Sequence, residues 1–351
     1  MKILQMVDVP WDSGLAHYAL VLAQGLKKNG HEVFVSAVPG EKPWQKAHRL
    51  GLKTIPLVSL KGLRPLRQFL REHRIDLMNA HTGSTHSVAV AAALGQKVAV
   101  VRTRSDARAV KRRPGSRFLY KHTQRVIAAA DYIRESFIKE LKLPPRQVAT
   151  VYQGIPVEDY PAVSLPESPV IGIVARLDPV KGHRYLIEAI PILLATYPAL
   201  RLRIVGQEEN IKVRDLQAIA ARLRVSDHVE FLGYQTHVAK VMSECTIGAV
   251  SSLGSEAVSR VALEWMACGR PLVATTVGCL PEIVQPKITG YLVEPRDAPS
   301  LAAALAKLLH DPSKAKGMGQ NAHARALERF AMGPFIQKTL DVYQAALGEL
   351  S

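Results

Sequence analysis

Apolar runs of strand length alternate with helix-length segments along almost the whole chain, and no other feature limits the fold so strongly. The first series is "KILQMV", "HEVFVSAV", "KTIPLV", "DLMNA", "KVAVVRT", "RVIAAA" and "QVATVY". Strands that are apolar throughout, separated by helices, predict a parallel sheet covered on both faces. A stretch with Pro156, Pro161, Pro166 and Pro169 interrupts the pattern and reads as a linker, because proline suits neither element interior. The alternation then restarts with "VIGIVAR", "LRLRIVG", "HVEFLG", "TIGAVS" and "PLVATT", and helical sequence follows from about Ala298. The expected fold is α/β, with two Rossmann-like doubly wound domains facing across a cleft. The first covers residues 1–160 and the second 161–333. Strand C-terminal ends in such folds hold ligands.

The bulk properties narrow the class. A length of 351 residues suffices for two domains with sizeable cores, and a mean hydropathy of +0.04 fits a globular chain. No apolar run approaches the roughly 18 residues of a membrane span. Asp8 cuts the opening stretch before a signal-peptide core forms, so a cytoplasmic location is expected. Cys245, Cys268 and Cys279 show no C-x-x-C spacing, which disfavours zinc, and no D-x-D motif suggests another metal site. The net charge of +16 predicts an anionic partner: nucleic acid, an anionic membrane surface or a phosphorylated substrate.

Candidate chemistry lies in the second half. In "GIVARLDPVKGH", Arg176 and Lys181 fall on the loop after a strand, with Gly182 before a helix. Two cations there are placed to clamp a pyrophosphate, although a solvated loop with surface cations is the plain alternative. The spacing of a P-loop is absent. Gly206 and Gly233 stand at two further strand ends, where glycine permits close backbone approach to a ligand. The run "SEAVSRVALEWMACGRP" carries Glu256 and Glu264 with seven residues between them. On one helix eight positions turn through about 800°, so the two carboxylates share no stripe. A helix starting after Glu256 would offer free N–H groups to phosphate, and Glu264 would accept both ribose hydroxyls. Glu256 then stands at the sugar-bearing end. The ligand these residues suit is a nucleotide diphosphate-sugar.

At this point the chain resembles the family 4 glycosyltransferases, of GT-B fold. The resemblance rests on "VARLDPVKGH", on the E-x7-E of "EAVSRVALE" with "WMACGRPLVAT" after it, and on "VGCLPEIV". In the first half it rests on "SGLAHYALVLAQGLKKNGHEV" and on "DLMNAH" with its terminal His. It implies that Arg176 and Lys181 bind the diphosphate and that Glu264 holds the ribose. It also implies that Val258, Ser259, Arg260 and Val261 cradle phosphate and sugar by their backbone. Glu256 would contact the transferred sugar near its anomeric carbon. Gly14 would approach the donor phosphate, and His81 would sit near sugar and acceptor. Gly206 and Tyr234 complete the expected donor contacts. The final segment, 334–351, would be a helix crossing back to the N-terminal domain. The implied reaction is retaining and metal-independent, with the nucleotide-sugar as substrate and no cofactor.

The chain departs from the family pattern at Ser13-Gly14, where two glycines are usual, and at Ser105, Gln153, Pro156 and Cys279. A lone His at a strand end is more often structural than functional, but its place after "DLMNA" at a domain cleft keeps both roles open for His81. Charge concentrates in two places. Nine Lys/Arg face the single carboxylate of Asp106 between Arg102 and Arg125. Lys61, Arg64, Arg67, Arg71 and Arg74 are interleaved with Leu63, Leu66, Phe69 and Leu70. These segments read either as a solvated basic face or as a surface docking on anionic lipid or a phosphorylated glycolipid. The function expected is transfer of a sugar to a glycan or lipid-linked acceptor, in cell-envelope or lipopolysaccharide synthesis, at the inner face of the membrane. The rivals are a nucleotide-sugar epimerase on the same fold and a nucleic-acid-binding protein. A phosphate binder of the second kind has no need of Glu264.

Overall fold

The computed structural model describes residues 1–350, apart from the side chain of Lys61, and divides into two compact units. One unit is Met1–Gly154 together with the segment from Met332 onward; the other is Ile155–Ala331. The division falls at Gly154/Ile155, a few residues before the expected 160/161. The Pro-dotted stretch thus belongs to the second unit. There Ile155 bridges to Ala331, and Val157–Asp159 forms a short 3-10 turn.

The first unit holds β1 (Lys2–Met6), β2 (Glu32–Ala37), β3 (Lys53–Pro56), β4 (Leu77–Ala80), β5 (Ala99–Arg104), β6 (Arg125–Ala128) and β7 (Val148–Thr150). Their order is β3-β2-β1-β4-β5-β6-β7, every pairing parallel. The second holds β8 (Val170–Val174), β9 (Arg201–Val205), β10 (Val229–Gly233), β11 (Ile247–Val250), β12 (Leu272–Thr275) and β13 (Gly290–Val293). Their order is β10-β9-β8-β11-β12-β13, again parallel. The sequence pattern did not resolve β13, whose four residues lie between a loop and the helical tail. Each sheet reverses its strand order once, at β1/β4 and at β8/β11. Those reversals are the switch points where doubly wound sheets open a crevice for ligands.

Packing at the two switch points differs. In the first unit the helix Gly83–Ala93 brings small residues, Ala89 and Ala92 among them, against Leu4, Met6 and Met78 of the strands. In the second, bulk and smallness change sides. Gly172 and Gly248 face each other across β8 and β11, and the indole of Trp265 fills the space a Cβ would need, 2.5 Å from either position. Trp265 is fully buried and belongs to the helix Arg260–Ala267, so it seats that helix flat on the two central strands. The helix Met332–Gly348 packs on the first unit, with the rings of Phe335 and Tyr18 5.1 Å apart. Among the described residues no helix is long and apolar enough to cross a membrane.

Candidate active site

Two loops flank the β8/β11 reversal. The first runs from Ala175 to Gly182 and contains Arg176 and Lys181; the second runs from Ser251 to Ser259 and contains Glu256. They are tied together: Ser251 Oγ donates to the Lys181 carbonyl at 3.0 Å, and Leu253 N–H to the Val180 carbonyl at 2.7 Å. Gly182 sits at φ +69°, and a Cβ there would lie 2.0 Å from the Ser251 carbonyl oxygen. Only glycine permits this approach. Across the tie, Lys181 Nζ is 2.6 Å from Glu256 Oε1, and Ser252 Oγ donates to the same oxygen at 2.6 Å. Glu256 is almost completely buried, so Lys181 supplies the charge that keeps its carboxylate tolerable there. Arg176 is about half exposed, 3.7 Å from Glu209 and 3.9 Å from Asp178.

Glu256 does not begin a helix, as the sequence had suggested; the helix starts four positions later, at Arg260. The intervening loop places Ser255 at φ +62° and Ser259 at φ +46°. Each such non-glycine conformation costs about 1–3 kcal/mol and persists where the surrounding structure over-determines it. Ser259 is the N-cap, yet its hydroxyl makes no cap bond and is buried without a partner. An N-cap serine ordinarily spends its oxygen on the helix's own N–H groups. Here the hydroxyl stands unspent at the helix N-terminus, a donor suited to an anion.

Glu264 lies one turn into that helix, 4% exposed. Its Oε1 accepts from the Tyr160 hydroxyl at 2.9 Å and from Arg260 Nε at 3.0 Å. Burial raises its pKa despite these two partners. Tyr160 comes from the Pro-dotted stretch, and neither it nor Ser252 was legible as a site residue in the sequence. At Gly206, φ +155°, a Cβ would lie 1.8 Å from the Ala175 carbonyl oxygen, so the neighbouring loop of this chain demands glycine there. Tyr234 projects into solvent, 70% exposed. Val258 and Val261 flank Ser259 and Arg260 in the chain, so the expected backbone cradle is contiguous.

In the first unit, Gly14 opens the helix Gly14–Lys28, whose N-cap Ser13 accepts from Ala16 N–H. The space beside Gly14 is open, so packing does not demand glycine there. His81 follows β4 directly and is fully buried, its N–H bonded to the Met6 carbonyl. Its Nε2 is 2.8 Å from Gln5 Oε1, while Nδ1 has no partner. Burial, helped by nearby Arg102, pushes its pKa down to about 3, so the ring is neutral.

The basic segment from Arg102 to Arg125 is not one face. Arg102 is buried, donating from Nη1 to the carbonyls of Ala80 and Thr103. Arg104 pairs with Asp106 at 3.1 Å, and Arg125 pairs with Glu349. Arg108, Lys111, Arg112, Arg113, Arg117 and Lys121 remain exposed, beside the half-exposed ring of Phe118. Of the other segment, Arg64, Arg71 and Arg74 are exposed, Arg67 donates to the Ala91 carbonyl at 2.7 Å, and Leu66 and Leu70 are core. The side chain of Lys61 lies outside the described residues.

Comparison with known proteins decides the family. Residues 13–159 match the model described as Glycosyltransferase Family 4, and residues 159–325 match Glycosyl transferases group 1. The chain belongs to glycosyltransferase family 4. A D-inositol 3-phosphate glycosyltransferase of Segniliparus rotundus is 34% identical over 52% of this chain and 41% of its own length. The chain spans about half the length of the curated relatives of this kind that it matches. A glycosyltransferase of Methanocaldococcus jannaschii, itself uncharacterized, is 26% identical over 98% of this chain and 99% of its own. The fold is shared with HepE of Anabaena, crystallised with UDP, at a TM-score of 0.86 and 21% identity over 98% of this chain and 100% of that one. The two-domain GT-B fold expected from the sequence is thereby established. Against the family 4 pattern, the departures Ser105, Gln153 and Cys279 are all buried, and Ser105 Oγ and Gln153 Nε2 have no hydrogen-bond partner among the described residues.

Proposed function

We propose that this chain is a retaining glycosyltransferase that moves a sugar from a nucleotide diphosphate-sugar to a hydroxyl of a glycan or lipid-linked acceptor. The observation that carries the reading is the Lys181–Glu256–Ser252 cluster at the β8/β11 switch point, next to an N-cap serine that does not cap. An arriving diphosphate competes with Glu256 for Lys181, so the carboxylate is released toward sugar hydroxyls as the phosphate is bound. Arg176, Lys181 and the helix N-terminus then oppose the negative charge that builds as the nucleotide diphosphate departs. Those charges serve the leaving group without a metal ion in this reading. Glu264, held on one oxygen by Tyr160 and Arg260, accepts from the ribose with the other. Anabaena HepE, crystallised with UDP-glucose, supports a nucleotide-sugar as donor.

The first unit takes the acceptor. Its exposed cations beside Phe118 support attachment to an anionic membrane, where each Lys or Arg contributes about 1 kcal/mol, and so a lipid-linked acceptor of cell-envelope or lipopolysaccharide type. An epimerase would need no acceptor, which separates that alternative.

The test is a screen of nucleotide-sugars by thermal shift, in which a ligand at 100 times its Kd adds about 2.7 kcal/mol. NMR of the product follows, with and without EDTA. Retained anomeric configuration and EDTA-resistant transfer are expected. An inverted linkage rejects the mechanism, and donor turnover without any acceptor favours the epimerase. Co-sedimentation with anionic but not neutral liposomes, weakening with salt, tests the attachment.

A further inference from the structure

The first unit contains a buried polar network that joins the β1/β4 switch point to the C-terminal helix. Thr103 Oγ, on β5, donates to Asn79 Oδ1 at 2.8 Å. Asn79 Nδ2 donates to Tyr343 Oη at 2.7 Å and to Gln5 Oε1 at 3.0 Å, and lies 3.3 Å from His81 Nε2. Gln5 Nε2 in turn donates to Tyr343 Oη at 3.1 Å. In this arrangement the acceptor Gln5 Oε1 is nearer to His81 Nε2 than Asn79 Nδ2 is, at 2.8 Å against 3.3 Å. Since Nδ1 has no acceptor among the described residues, the Nε2–H tautomer is the one that leaves no buried donor unpaired. Gln5, Asn79, Thr103, His81 and Tyr343 are all at most 1% exposed, so no solvent competes for these bonds.

One atom is left over. The large majority of buried side-chain polar atoms have a hydrogen-bond partner. His81 Nδ1 is buried and has no hydrogen-bond partner, and the ring stands on the first residue beyond β4, where the strand order reverses. Its backbone is anchored on both sides. Its own N–H bonds the Met6 carbonyl at 3.0 Å, and the preceding carbonyl, of Ala80, accepts from Arg102 at 2.8 Å. The ring is held in one place with a bare lone pair.

We propose that Tyr343 is a positioning residue: through Gln5 and Asn79 it holds His81 as the Nε2–H tautomer and keeps Nδ1 as an acceptor for a substrate hydroxyl. This rests on the glycosyl-transfer reading above, since it is the transferred sugar or its acceptor that supplies hydroxyls. The C-terminal helix thus does more than cover the sheet. The Tyr343 hydroxyl sets the orientation of two amides and, through them, of one imidazole.

The experiment is ¹⁵N NMR of the histidine rings, with His81 assigned from the spectrum of His81→Gln, combined with steady-state kinetics. The wild type should show His81 as Nε2–H. Tyr343→Phe keeps the ring and removes the oxygen that both amides donate to. It should mix the two tautomers and lower kcat about tenfold, leaving the Kd of the free nucleoside diphosphate unchanged. Thr103→Val unpins Asn79 from the other end and should reproduce both effects, which covers the case that Tyr343→Phe fails to fold. A wild-type His81 protonated on Nδ1 overturns the proposal, and so does an unchanged tautomer and kcat in a folded variant. Absence of turnover by the wild type with every donor counts instead against glycosyl transfer, and the ring spectrum still decides on the network.

Discussion

The second strand of each switch point, β4 in the first unit and β11 in the second, leads into a helix through a loop of very different length. After β4 only His81 and Thr82 precede the helix, whereas after β11 the loop runs from Ser251 to Ser259. The short loop leaves no room for a ligand-sized side-chain cluster, and what it holds is a buried neutral ring in a network of amides and hydroxyls. The long loop carries a carboxylate back over the strand ends to a lysine, with two serines in the left-handed region. The same topology thus yields a neutral, orientation-fixing site in one unit and a charge-compensated one in the other. Loop length and the residues on it set the chemistry; the sheet sets only where it happens.

The packing beneath the two sites gives the largest test. Trp265→Ala empties the space between Gly172 and Gly248 and should cost about 3–5 kcal/mol in urea unfolding of the second unit. In the first unit, where the helix already presents small residues, Ala89→Gly should cost only about 1 kcal/mol. Similar losses would mean that the two seats are equivalent after all.

Charge compensation comes next. Lys181→Met strands the buried Glu256 carboxylate and should cost about 3 kcal/mol as well as donor affinity. Adding Glu256→Gln should recover the stability but not the binding, as read by urea unfolding and calorimetry. If the double variant is no more stable than Lys181→Met, the pair is not what holds the loop.

The neutral character of the first unit predicts its response to acid. His81 and His86 are both pushed down to about 3 by burial, with Arg102 adding to it. An unfolded histidine titrates near 6.5, so below that pH the unfolded chain binds more protons. Stability is therefore full above about 6.5 and drains away as pH falls toward 3. The second unit has one comparable ring, His183, lowered to about 4. Hydrogen exchange at pH 4.5, corrected for intrinsic rates, should show the first unit losing protection before the second, and His86→Gln should flatten that loss. The reverse order would sink the contrast.

The smallest effect concerns Glu264. Its pKa is raised, so the stability it contributes is present below the ordinary carboxylate range and lost as pH climbs through the raised value. Glu264→Gln should therefore gain stability relative to the wild type as pH rises above the ordinary carboxylate range, while nucleoside diphosphate affinity falls about tenfold through the lost ribose contact. Unchanged affinity would remove Glu264 from the donor site.

The alternation of apolar runs settled the class of fold, because a strand buried on both faces has to be apolar throughout and a parallel crossover has to carry a helix. The same reading singled out Arg176 and Lys181, since residues just past a strand stand where such sheets take ligands, while Glu256 and Glu264 stood out by their spacing. It missed β13, whose four residues stand between a loop and the long helical tail. It also took Arg102 for part of a solvated face, because nothing in a run of cations marks the one that is buried. Gly172 and Gly248 left a signal, glycines inside strand patterns. Only the fold told that they face each other and admit Trp265. Tertiary structure alone decided the partners: Lys181 with Glu256 across 75 positions, Tyr160 with Glu264 across 104, Gln5 with Tyr343 across 338. Periodicity records which face of an element is buried. Who meets whom across such separations is fixed by how the sheet orders its strands, and no local pattern encodes that.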